Sequence, residues 1–313
     1  DALPQEVGER LGRMFEQAVL IVQAYYAISL FMLYRRAGEM AGLGRGSPAL
    51  DALWPIKWIE LTGFELGGAL MAHLAILAGL LGLVLWRWLW VRMLVSLAFL
   101  QYLGLQNSSG YLIHGFYSWF WLSVALWFLP SASLASLRPT RRGRMRFLLG
   151  FAAAPAVMLL FYTLSGVHKV VAATVALFAD DVSGFAPQAM AVTLAWRSLE
   201  TGSEPLWAAL IIDLPWLGWP LYVAVYYVEL VALVILCRPR LHRAWGVLLI
   251  LFHVGTFLFM DITFPEHVLI NGLFLVMSPF ALGLADPWRA ATALPLLGGL
   301  VRWLAGPSGV DRR

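Results

Sequence analysis

Lysine is scarce in this chain. Of 22 basic residues, only Lys57 and Lys169 are lysine, and the other 20 are arginine. Lys169 falls inside a long apolar run, with Leu159, Leu160, Phe161, Val170 and Val171 close by in sequence. An ionisable group at membrane depth is costly and marks a functional site by default. Apolar surroundings disfavour an ammonium. A neutral amine is a usable general base, a state that arginine does not reach. On a helix, Tyr162, Ser165 or Gly166, and Lys169 share one stripe by i, i+3/i+4, i+7 spacing. Lys169 acts there as a base, or it forms a structural ion pair with a carboxylate such as Glu229. The spacing allows both.

Glu229 has Tyr222 and Tyr226 two turns and one turn before it, and His253 precedes Thr256 and Met260 on its own segment. Three apolar segments thus offer Lys169, Glu229 and His253 to one interior, as a proton-handling pocket would require. His168, beside Lys169, is a further proton-handling candidate. Other ionisable residues in apolar runs have plainer readings. Glu16 lies one turn into its segment, where a side chain reaches the interface. His73 is a lone histidine on an apolar helix, and a packing role suits it best. Asp261 closes its segment, where it meets water or caps the next turn. No HxxxH or HExxH spacing occurs, so no metal site is expected. No phosphate-binding loop, GxSxG elbow or nucleic-acid motif is present. A single cysteine, Cys237, excludes an intrachain disulfide and a CxxC redox pair.

Composition indicates the scaffold that carries these residues. Across 313 residues, 61% are hydrophobic and 13% charged. The mean hydropathy is +0.76. About a quarter of the residues in a soluble domain are charged. So low a share cannot cover a soluble surface, and a soluble enzyme, a disordered chain and a coiled coil are excluded. The chain is read as an all-α, polytopic membrane protein, one transmembrane domain over residues 1–313 with no soluble domain. A bilayer core needs roughly 20 apolar residues per helix. About eight spans are expected: Met14–Tyr34, Leu66–Trp86, Leu89–Leu105, Leu112–Leu129, Arg146–Phe178, Leu217–Cys237, Ala244–Met260 and Pro265–Leu284. The fifth is too long for one simple crossing, so its end is expected to leave the membrane. The amphipathic stretch Phe185–Asp213 lies in the interface or re-enters. No cleavable leader is expected, because the first apolar run is long enough to span.

Arginine sets the orientation. Arg138, Arg141, Arg142, Arg144 and Arg146 form one basic loop without an acid, and Arg238, Arg240 and Arg243 form another. Arg10 and Arg13, Arg87 and Arg92, and Arg289, Arg302, Arg312 and Arg313 join them on one side of an even-spanning bundle. The positive-inside rule makes that side cytoplasmic and places both termini there. The net charge of +4 therefore needs no nucleic-acid partner. Tryptophans crowd the span ends, as interfacial anchors do. No internal repeat is evident, which weighs against an inverted-repeat transporter.

Three stretches carry a family resemblance. Leu105–Gly115 reads LQNSSGYLIHG, Phe161–Lys169 reads FYTLSGVHK, and Leu251–Phe280 reads LFHVGTFLFMDITFPEHVLINGLFLVMSPF. In this order they resemble the membrane domain of vitamin K-dependent γ-glutamyl carboxylase and its bacterial HTTM relatives, most strongly over residues 89–284. The resemblance implies that Lys169 is a base activating reduced vitamin K or menaquinone. Oxygen then adds to the quinol and gives a stronger base, which removes a glutamate γ-proton so that carbon dioxide adds. It further implies that Asn107 lies in a polar cluster near the quinone and that His253 is a further pocket residue, and Tyr162 and Tyr226, from the stripes of Lys169 and Glu229, are read as cofactor-binding with them. The pattern departs from the family at Gln106, at Ser108 where the family has histidine, and at His168 where it has a second lysine. The family's large peptide-binding domain has no counterpart in the reading.

The expected function is a carboxylase-like, quinol-dependent enzyme of the bacterial cytoplasmic membrane. Its partners would be the lipid bilayer, a membrane quinone and a protein or peptide substrate, with no nucleic acid. The alternatives are a non-catalytic maturation partner of the same family and, third, a proton-coupled transporter. The enzyme reading expects Lys169 in an apolar pocket near His253 or Asn107, open to lipid or to the outer face, and a lysine facing lipid or sealed in a dry ion pair with no adjoining cavity counts against it.

Overall fold

The long apolar runs fold as long helices. The computed structural model describes residues 5–43, 51–108, 115–131, 140–179, 181–281 and 291–305. Among them every regular element is helical. Five helices are long and apolar enough to cross a membrane, which points to an integral membrane protein. Among the described residues the α-helices of six residues or more are α1 (Gln5–Ala41), α2 (Phe64–Leu85), α3 (Leu89–Asn107), α4 (Tyr117–Ala125), α5 (Arg141–Ala176), α6 (Ala189–Thr201), α7 (Ala208–Asp213), α8 (Pro215–Leu230), α9 (His242–Met260), α10 (Pro265–Asn271) and α11 (Gly298–Ala305). The five candidates are α1, α2, α3, α5 and α9 with its leading turn from Pro239.

The expected segments differ from these in instructive ways. The first is longer than its apolar run, because good helix formers continue it to Ala41. The fifth, expected over Arg146–Phe178, is α5, unbroken over 36 residues and about 54 Å at the α-helical rise, longer than one simple crossing needs. Pro155 inside it removes only one ladder hydrogen bond. The sixth is 16 helical residues from Pro215, whose missing N–H is harmless at a first turn. Its ladder breaks at Val231, and a short turn over Ala232–Ile235 comes next. The eighth begins at Pro265 and loosens into a π-helical stretch over Gly272–Val276. Of the fourth, Tyr117–Ala125 and a 3-10 turn to Phe128 are helical. Residues 109–114, with most of the LQNSSGYLIHG tail, lie outside the described residues, as do Arg138, Asp180, Arg289, Arg312 and Arg313. The amphipathic stretch forms α6 and α7, joined past Gly202, whose positive φ ends α6.

The chain divides within α5 into two units, Asp1–Val157 and Met158–Arg313. In the first, α1 packs along α2. A Cβ on Gly79 would lie 2.9 Å from the Leu30 side chain, so the contact needs glycine. Trp119 stacks on Tyr25 at 4.8 Å and donates its indole N–H to Ser29 Oγ at 2.9 Å, while Tyr25 donates to the Trp119 carbonyl at 2.8 Å. Arg92, a turn charge by its place in the sequence, is wholly buried. Its guanidinium donates to the carbonyls of Trp86 and Arg87 at 3.1 Å and of Leu129 at 2.5 Å. It closes helix ends whose carbonyls have no ladder partner.

In the second unit, α9 packs against α10 and the π-helical stretch, and α6, α7 and α8 pack together. Ala191, Leu194, Ala208 and Ile211 form their core, with Phe259 and Met260 of α9 against it.

Candidate functional site

The second unit gathers the ionisable residues of three helices. Lys169 on α5 donates to Glu229 Oε1 at 2.5 Å, and it also meets Oε2 in the same ion pair. Ser165, one turn earlier, accepts from the amine at 3.2 Å and donates to Glu229 Oε2 at 3.4 Å. Ser165 and Lys169 thus meet one acid from α5, and the pairing with Glu229 that was the alternative to a free base is what forms. The amine lies 5.7 Å from the centroid of the Phe252 ring.

Local structure explains how α5 and α8 come so close. Gly166 faces the end of α8, and a Cβ there would lie 2.5 Å from the Leu230 backbone nitrogen. Where the α8 ladder breaks, Thr163 Oγ1 accepts the N–H of Leu233 at 2.9 Å. Thr163, Gly166 and Lys169 thus fall on one face of α5. The glycine permits the approach, the threonine satisfies the broken backbone, and the lysine meets the acid.

A second polar group is centred on Tyr162. Its buried hydroxyl lies 2.6 Å from His253 Nε2 and accepts from Asn271 Nδ2 at 2.8 Å. His253 is 5% exposed, and its ring packs against Phe252, Phe264 and His267 at centroid distances of 4.9–5.3 Å. Asn271 is fully buried. His253 Nδ1 and Asn271 Oδ1 are both buried with no hydrogen-bond partner. In native interiors such atoms are few and ask for a reason. The two groups adjoin through Phe252, whose ring centroid lies 5.7 Å from the Lys169 amine and 4.9 Å from the His253 ring.

The other candidates take separate places. Tyr226 is buried, with Tyr222 at 5.0 Å and Phe185 at 5.9 Å, and it feels the Glu229 charge. His168 is exposed, on a different face from its neighbour Lys169. Asn107 belongs to the first unit, where its amide donates to the Leu103 carbonyl. Ser108, the departure from the family histidine, accepts the Leu53 N–H at 3.0 Å and donates to Gly104. Glu16 is exposed, and Asp261 caps α9 with a left-handed backbone. His73 is exposed and bonded to its own helix at Ala69, so the packing role expected for it is not what forms. No metal-binding group of three His, Cys, Asp or Glu occurs among the described residues.

Sequence alone assigns no role to Asn271 or His267. Their signal is present as i, i+4 spacing on a short apolar helix, but neither residue is charged enough to stand out. Two cavities, of about 370 and 580 Å³, lie in the first unit, and Lys169 lines neither. The apolar pocket expected at Lys169 is therefore neither of these, and what the lysine has is an ion pair with 30% of its side chain exposed. Compared with known protein families, characterised proteins and solved structures, the chain matches none.

Proposed function

We propose that the chain is a membrane enzyme of the vitamin K-dependent carboxylase-like, HTTM kind, in which Lys169 is the base that accepts a proton from a reduced membrane quinone. One observation carries the reading: a Lys–Glu–Ser cluster set among apolar helices, beside a Tyr–His–Asn cluster with unpartnered polar atoms. A structural role alone does not account for the pair. Replacing a buried ion pair by apolar side chains is often neutral or stabilising. Charge kept at membrane depth is better explained by use.

Glu229 holds the amine in place with both carboxylate oxygens. It is 3% exposed while Lys169 keeps 30%, so the amine has an approach that the acid lacks. The residues present fit a quinol. A quinol hydroxyl needs a proton acceptor and a hydrogen-bond partner, and the part-exposed Lys169 amine with Ser165 Oγ beside it would supply them. Phe252 and Phe264 supply apolar ring surface. When bound, the quinol would supply the reducing equivalents for oxygen-coupled removal of a carbon-bound proton, and carbon dioxide would add to the carbanion so formed. The chain's own part would be to pass the ammonium proton of Lys169 to Glu229, leaving a neutral amine beside a neutral acid, then to take the quinol proton at Lys169 Nζ and hold the head group against the aromatic rings. About eight crossings, the bacterial cytoplasmic membrane and cytoplasmic termini belong to the same proposal, supported by the basic loops.

A second reading has one observation in its favour. Lys169 is engaged by both oxygens of Glu229, as a pair that never releases its proton would be. That describes a non-catalytic maturation partner. Turnover separates the two. Reduced menaquinone and reduced vitamin K are supplied with oxygen and bicarbonate to the wild type and to Lys169→Ala. The enzyme reading expects quinol consumption that Lys169→Ala lacks. Equal consumption by both proteins overturns it.

A further inference from the structure

The last helix of the second unit turns its apolar side outward. The segment before α11 is tied down at two carbonyls. Tyr227 on α8 donates its hydroxyl to the Pro295 carbonyl at 2.6 Å, and the Arg238 guanidinium donates to the Ala293 carbonyl. Arg238 stands immediately before Pro239, where the apolar stretch long enough to cross a membrane begins. α11 therefore starts beside the end of a candidate crossing, where a spanning helix meets lipid head groups. Gly298 marks its inner side: the residue is buried, and a Cβ there would collide with the Thr292 carbonyl. Leu297, Leu300 and Trp303 recur every three residues and are exposed, Trp303 at 76%. Leu300 and Arg302, two residues apart, fall on opposite sides of the helix.

Leu296 adds an independent observation. It is 82% exposed, and its backbone is left-handed, with φ 63°. A bulky residue rarely takes that conformation, and glycine takes it freely. A leucine held there with its side chain outside is unfavourable in water on both counts. An apolar medium for the side chain removes one of them and gives the strain a reason. Charge points the same way. Residues 230–260 and 287–310 contain Arg238, Arg240, Arg243, Arg289 and Arg302 and no Asp or Glu. An exposed Leu–Trp face rimmed by arginine is the composition of a helix that lies in an anionic membrane surface.

We propose that α11 is an interfacial helix: Leu296, Leu300 and Trp303 enter the acyl boundary of the leaflet at the basic turn, while Arg302 and that turn take anionic phospholipid head groups. The inference stands apart from the enzyme reading. The bilayer is the occupant because the crossing that begins at Pro239 sets its plane, and the Ala293 and Pro295 carbonyls hold the start of α11 beside that crossing.

Depth, read residue by residue, tests this. Cys237→Ser leaves the full chain without cysteine. Into it are placed, one at a time, Leu296→Cys, Leu300→Cys, Arg302→Cys and Trp303→Cys, each carrying a nitroxide. All four positions are exposed, so the core is untouched. The proteins are held in vesicles of phosphatidylcholine and phosphatidylglycerol. Power-saturation EPR compares access to oxygen, which partitions into lipid, with access to a water-soluble nickel chelate. The oxygen-to-nickel ratio is expected to be several-fold higher at positions 296, 300 and 303 than at 302. Equal ratios at all four positions overturn the proposal. Low access to both reagents at 296, 300 and 303 also overturns it, because protein and not lipid then covers the face. Adding Arg302→Gln to the Leu300→Cys protein, or using phosphatidylcholine alone, is expected to lower the ratio at 300. A ratio indifferent to both overturns the part assigned to anionic head groups.

Discussion

Lys169 and Glu229 form an ion pair whose two ends live in different surroundings: the acid is 3% exposed and the amine 30%. Removing either partner alone leaves a charge without compensation in an apolar setting, which is the expensive way to break a pair. Removing both leaves apolar side chains among apolar neighbours. The double variant Lys169→Met with Glu229→Leu is therefore expected to unfold at a higher temperature than either single variant. Because the lysine is part-exposed, the coupling should fall within about 0.5–3 kcal/mol. Thermal unfolding in one detergent measures all four corners. Additive single effects would show that the pair is not energetically coupled.

Turnover should separate from stability in the same series. Loss of a positioned general base lowers rate by roughly 10²–10⁴-fold. Lys169→Met and the double variant should both lose quinol consumption on that scale, although the double variant is the more stable of the two. Recovery of turnover in the double variant would count against Lys169 as the base.

Gly166 controls the approach of α5 to α8. A methyl group there would stand 2.5 Å from the Leu230 nitrogen and 2.9 Å from the Glu229 carbonyl carbon. Backbone cannot give way as a flexible side chain can. Gly166→Ala should cost about 1–3 kcal/mol by overpacking, and it should weaken the Lys169–Glu229 contact one turn along the same face. A stable Gly166→Ala protein with full turnover would show that the helices have room to separate.

Arg92 is a structural cation, not a topological one. Its guanidinium serves the carbonyls of Trp86, Arg87 and Leu129. Arg92→Leu leaves those acceptors buried and unpaired, at about 1–3 kcal/mol for each group so stranded. Arg92→Lys should recover only part of the loss, because an ammonium lacks the planar fork. Midpoints of thermal unfolding for the three proteins should rank wild type, lysine, leucine. A leucine variant as stable as the wild type would contradict this account.

Orientation can be read with the chain's own chemistry. Cys237 is the single cysteine and is exposed, next to the basic turn of Arg238, Arg240 and Arg243. A membrane-impermeant maleimide should label it in inside-out vesicles and not in right-side-out ones. Labelling from the outside would reverse the proposed topology.

Sequence by itself determined the solvent and the kind of element. A chain with 13% charge cannot face water all round, and runs of about 20 apolar residues fold as helices in a bilayer because no other single segment satisfies its own backbone there. Sequence also singled out Lys169, since lysine is rare here and its cost inside a membrane is high. Helical spacing put Tyr162, Ser165 and Lys169 on one stripe, and the structure keeps them there. Composition could not decide where the ladders break. Val231 ends α8 among residues as apolar as those that continue α5, and only the Thr163 hydroxyl and the Gly166 surface of the neighbouring helix explain the difference. Nor could spacing separate a free base from a paired one. Glu229 lies 60 residues from Lys169, and hydropathy is blind to such distances. Asn271 is the clearest case. Alone it is an ordinary amide on a short helix. Its hydrogen bond to Tyr162, 109 residues away, joins it to the Tyr162–His253 pair. Pattern along a chain reports local period and solvent. Partners in a polar network are set by how helices cross, and only the tertiary structure supplies that.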